Sequence, residues 1–157
     1  MKVPGGVGTW PALWMLGTDI DEVGWPACGE IDVMEHVGAE PTRWHGTIHG
    51  PGYSGLGGGV GRAVEAGVDL SDSFHRYAVT WDESGIAWWL DGRERHRLTP
   101  SDVPGPWPFD HEFYLLVNLA IGGNWPGNDG EPELPASLLI DWIRVSGHEL
   151  APGRDSP

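Results

Sequence analysis

Short apolar bursts separated by turn residues run along the whole chain. Strand-like bursts fall at 10–16, 30–37, 43–49, 75–81, 86–90, 112–120 and 138–145. Between them stand turn signals such as Gly50-Pro51-Gly52, Asp82-Glu83-Ser84-Gly85 and Asp91-Gly92. Residues 86–93 read as one arm of a hairpin, with Asp91-Gly92 as a type I′ turn and 94–98 returning. The segment 55–61 is Gly-rich and reads as an exposed, mobile loop, and helical periodicity is absent except for a turn near 100–103. Many short strands without helices predict an all-β sandwich or barrel.

One burst breaks the pattern. Gly29–Gly38 reads GEIDVMEHVG, with Glu30, Asp32 and Glu35 set among Ile31, Val33, Met34 and Val37. Strand alternation puts Glu30 and Asp32 on one face and Glu35 on the other. A β-bulge at Val33-Met34 inserts one residue and returns Glu35 to the face of the other two acids. A helix fails, because five residues amount to roughly 140° of rotation. Three converging carboxylates repel one another, and burial raises the cost of charging them. A protonated acid beside a carboxylate is the equipment of glycoside cleavage. An exposed acidic strand and a calcium site remain the competing readings.

Composition narrows the partners. The chain has 157 residues, enough for one domain with one core. Nine basic against 23 acidic residues, a net charge of -14, argue against nucleic acid and against an anionic membrane surface. A neutral ligand fits best. No apolar run is long enough to span a bilayer, and MKVPGGVGTW lacks the apolar stretch of a signal peptide. Cys28 is the single cysteine, so no internal disulfide forms. Ten Trp are many against three Phe and three Tyr, and flat aromatic faces suit the C–H faces of pyranose rings. His45 and His49 are four apart, but their setting is that of a strand with no matched third ligand, which argues against zinc.

Taken in order, Gly8-Thr9-Trp10-Pro11-Ala12-Leu13-Trp14, Glu30-Ile31-Asp32-Val33-Met34-Glu35-His36, Thr47-Ile48-His49-Gly50, Phe74-His75, Asp91-Gly92, the run Asn118 to Gly127 and Asp141-Trp142-Ile143-Arg144-Val145 resemble glycoside hydrolase family 16. The likeness is to its bacterial laminarinase-like branch, and the extra residue marked by Met34 favours β-1,3-glucan over mixed-linkage glucan. The resemblance implies a concanavalin A-like β-jelly-roll sandwich with a concave glucan-binding cleft. It implies retaining endo-hydrolysis of β-1,3-glucosidic bonds, with Glu30 as nucleophile, Glu35 as general acid/base and Asp32 bonded to the nucleophile. Retention requires the two carboxyl groups about 5–5.5 Å apart.

By the same resemblance Trp10, Trp14 and Trp25 line the cleft, Trp125 borders it, and His49 bonds sugar hydroxyls or a catalytic carboxyl. Asn118 reads equally as a cleft donor or a satisfied core amide. Trp81, Trp88, Trp89 and Trp142 are assigned to the core or the opposite face. No cofactor is expected, and Asp141 marks a family calcium position whose other ligands come from the start of the domain. The match begins at Lys2-Val3-Pro4, well inside the usual domain, so the N-terminal strands are expected to be absent. Residues 1–148 are then a portion of the catalytic domain and 149–157 a polar tail. The expected partner is a β-glucan polysaccharide met outside the cell. A glucan-binding module without turnover and an inert fragment are the rival readings.

Overall fold

The computed structural model describes residues 1–126 and 134–147. Its strands are β1 (Thr9–Gly17), β2 (Glu30–Glu35), β3 (Arg43–His49), β4 (Val60–Glu65), β5 (Tyr77–Asp82), β6 (Gly85–Leu90), β7 (Arg93–Leu98) and β8 (Phe113–Ile121). They form two antiparallel sheets, ordered β4-β3-β2-β1-β8 and β5-β6-β7. The all-β sandwich is therefore present. No helix among the described residues is long and apolar enough to cross a membrane.

The smaller sheet packs over β2–β4, with β5 against β2 and β7 against β4. Between the sheets lies a core that includes the fully buried Trp44, Trp88, Ile31, Met34 and Ile48. Asp91 and Gly92 both take positive φ, 50° and 79°, as a type I′ turn requires, and they join β6 to β7 as expected. The turn near 100–103 is a 3₁₀ turn over Pro100–Asp102, closed by the Thr99 and Asp102 side chains.

Three expectations need correction. Residues 138–145 form no strand: Leu139 bridges Lys2, and no longer ladder runs beside them among the described residues. Their apolar side chains, which signalled a strand, are left exposed, Trp142 at 54%. The Gly-rich stretch ends sooner than expected, since Val60 and Gly61 open β4 by pairing with Ile48 and Thr47. A one-turn helix, Ile20–Val23, carries no buried residue and had no periodicity to reveal it. The polar tail at 149–157 lies outside the described residues.

Candidate active site

The register of β2 breaks at the acid strand. Against β1, Glu30, Ile31 and Asp32 pair with Leu16, Met15 and Trp14, and then Met34 and Glu35 pair with Leu13 and Ala12. Against β3, Asp32 pairs with Thr47 and Glu35 with His45. Three steps on β2 thus match two on each neighbour, with Val33 as the extra residue. Val33 and Met34 both enter the core, and Glu30, Asp32 and Glu35 emerge on the sheet face away from it.

Each acid has a distinct setting. Trp25 Nε1 donates to Glu30 Oε2 at 2.6 Å, and Trp10 Nε1 donates to Glu35 Oε1 at 3.1 Å. His49 Nε2 lies 3.2 Å from Asp32 Oδ2 and 3.9 Å from Glu30 Oε1. Burial holds the Asp32 carboxyl well above the usual aspartate range, and the Glu30 charge and a hydrogen bond shared with Glu30 add to this. Burial also pushes Glu35 up to about 8, reinforced by the Asp32 charge and opposed by the Trp10 hydrogen bond. At neutral pH, Glu35 therefore carries a proton it can give, and burial disfavours the charged form of Asp32.

Two recesses flank Glu35. The larger, about 650 Å³, is lined by Trp10, Trp25, Glu35, His45, His49 and Trp125. The smaller, about 210 Å³, lies between Trp10, Trp14, Asp32, Glu35 and Asn118. Trp10 and Glu35 belong to both. Trp14 Nε1 donates to Asn118 Oδ1 at 2.8 Å, so Asn118 is a cleft-side acceptor and not a core amide. Trp125 meets Trp10 edge-on at 5.1 Å and His45 at 4.7 Å. The structure thus gathers Glu30, Asp32, Glu35, Trp10, Trp14, Trp25, His49, Asn118 and Trp125 around one cleft.

His45, weighed from the sequence only as a zinc ligand, also lines the larger recess, as do Leu56 and Arg62, which the sequence did not single out. His45 was open to discovery, because the bulge that turns Glu35 also sets it opposite residue 45. Leu56, 71% exposed within the Gly-rich loop, and Arg62 on the edge strand β4 carried no pattern.

Two carboxylates and one imidazole, from Glu30, Asp32 and His49, offer donors within 4.8 Å of one another. That mixed set suits zinc better than calcium. Among the described residues, no group of three or more His, Cys, Asp or Glu donors includes Asp141.

Residues 1–144 match Glycosyl hydrolases family 16, and the chain belongs to that family. It is 41% identical over 156 residues to a beta-glucanase of Rhodothermus marinus, covering 92% of this chain and 54% of that protein. It is 38% identical over 157 residues to glucan endo-1,3-beta-glucosidase A1 of Niallia circulans, covering 92% of this chain and 23% of that protein. The solved endo-beta-1,3-glucanase of Pyrococcus furiosus superposes with a TM-score of 0.80 at 48% identity, over 86% of this chain and 54% of that one. The chain thus spans about half the length of the first and third of these proteins, and less of the second.

Proposed function

We propose that this chain carries the cleavage centre of a retaining endo-β-1,3-glucanase. The observation that carries the reading is the bulge, which sets a protonated Glu35 on the same face as Glu30. Glu35 gives its proton to the glycosidic oxygen while a Glu30 oxygen attacks the anomeric carbon. The C–O bond breaks, and the sugar is held as an ester on Glu30. Glu35, now a carboxylate, takes a proton from water as that water attacks the same carbon and releases Glu30. Asp32, whose charged form burial disfavours, hydrogen-bonds Glu30 and steadies it as charge leaves and returns. No cofactor enters this chemistry.

A neutral β-1,3-glucan such as laminarin suits an acidic chain with a tryptophan-lined cleft, as do the names of the relatives. Recesses on both sides of Glu35 fit a polymer that passes through and is cut internally. Such a polymer is met outside the cell. The test compares reducing-end release from laminarin by the unaltered chain and by Glu30→Gln. Release is expected from the first and not from the second, with the product's first-formed anomer β by NMR. Equal release by both proteins removes Glu30 from the reaction, and binding without release by the unaltered chain makes it a glucan-binding module.

A further inference from the structure

A bulge turns Glu35 toward the cleft, but a bulge also interrupts the ladder and leaves backbone groups in need of partners. The interruption here falls just after Asp32, between its pairing with Thr47 and that of Glu35 with His45. The Asp32 carbonyl is met from the opposite sheet. Trp88 Nε1, on β6, donates to it at 2.8 Å in a fully buried bond.

The indole is itself held in place. Its ring stacks on His96 at 4.3 Å with planes 8° apart, and the β6–β7 register shifts just after Trp88. On β3, Gly46 stands where any side chain would collide with this pair. A Cβ there would lie 2.6 Å from Trp88 Nε1 and 2.8 Å from His96 Nε2. Gly46 is flanked by His45 and Thr47, whose side chains face the cleft, so its missing side chain is on the core side. The bare backbone lets the indole reach across the sandwich to β2.

We propose that Trp88 is a positioning residue: its indole N–H holds the Asp32 carbonyl at the bulge and thereby fixes Glu35 on the cleft side of the sheet. The kinetic consequence rests on the hydrolase reading above; the structural one does not. A buried tryptophan that only filled space would behave like Trp44. That residue is also fully buried in the same core, but its indole nitrogen has no hydrogen-bond partner among the described residues.

Trp44 therefore serves as the control. Trp88→Phe, Trp44→Phe and Gly46→Ala are compared with the unaltered chain by thermal unfolding, by kcat and KM on laminarin across pH, and by carboxyl NMR titration of Glu35. Trp88→Phe is expected to lower kcat by about 10- to 100-fold, since small misplacements of a reacting group carry losses of this order. KM changes little, and the Glu35 titration moves. Gly46→Ala, which crowds the indole without removing it, moves the same titration in a folded protein. Trp44→Phe lowers the unfolding temperature yet leaves the kcat pH profile and the Glu35 titration in place.

The anchor is overturned if Trp88→Phe and Trp44→Phe give the same kcat and Glu35 titration. Should Trp88→Phe not fold, an unmoved Glu35 titration in Gly46→Ala overturns it equally. If the unaltered chain releases nothing from laminarin, the hydrolase reading falls and the Glu35 titration alone still decides the anchor.

Discussion

Two rows of side chains run on the core side from β2, the middle strand of the five-stranded sheet, out to its edge strand β8, and their burial changes sharply from one end of each row to the other. Ile31 of β2 pairs with Met15 of β1, which pairs with Leu115 of β8; their exposures are 0%, 4% and 38%. Met34, Leu13 and Val117 make the parallel row, at 0%, 7% and 38%. By composition the order should be reversed, because β8 reads FYLLVNLAI and β2 reads EIDVME. Burial is conferred by what lies on a strand. β2 has a strand on each side and the smaller sheet above it; β8 has β1 alone among the described residues. The three acids are held at the covered end of these rows, on β2.

The largest effect that can test this contrast comes from Glu35, whose setting exists only at the covered end. Glu35→Gln removes the proton donor and is expected to lower kcat on laminarin by about 10²–10⁴-fold. The same variant reads out burial independently of activity. Glu35 is raised from the usual glutamate value of 4.5 to about 8, so between these values the folded chain keeps a proton that the unfolded chain releases. Stability must then fall as pH rises through that window and level off beyond each end. The unfolding temperature of the unaltered chain should drop relative to Glu35→Gln between pH 5 and 8. Parallel curves for the two proteins would mean that Glu35 is not buried as the structure has it.

The sequence made one half of this contrast legible. Three acids at a spacing of two and three within apolar residues leave a bulge as the one strand geometry that unites them, and the register breaks where the spacing requires. The hairpin at Asp91-Gly92 was readable for the same reason: a local backbone requirement selects particular residues. The other half was not readable. Residues 138–145 carry a strand's pattern, yet Ile140, Trp142 and Val145 are exposed because a strand needs a partner that its own residues cannot report. Arg62 and Leu56 reached the cleft through sheet order and loop path, which leave no local mark.

Next in size is a matched pair of truncations along one row. Ile31→Ala opens a cavity beneath the acid strand and should cost about 2–5 kcal/mol in urea unfolding. Leu115→Ala, two strands away and already 38% exposed, should cost only about 1 kcal/mol. Similar losses at both positions would show that β8 is covered in solution, and the contrast would dissolve.

The smallest expected change in stability comes from making the open end polar. In Leu115→Thr with Val117→Thr, each altered side chain is already more than a third exposed, so the unfolding free energy should stay within about 0.5 kcal/mol per site. Association should respond more than stability does. β8 presents an apolar row and, among the described residues, an edge with no strand beyond it, both of which invite other chains. Light scattering against concentration should rise later for the double variant than for the unaltered chain, while the pH dependence set by Glu35 stays the same in both. A change in that dependence would mean that the open and covered ends of the rows are coupled through β1, and that the exposed end helps to hold the acids in place.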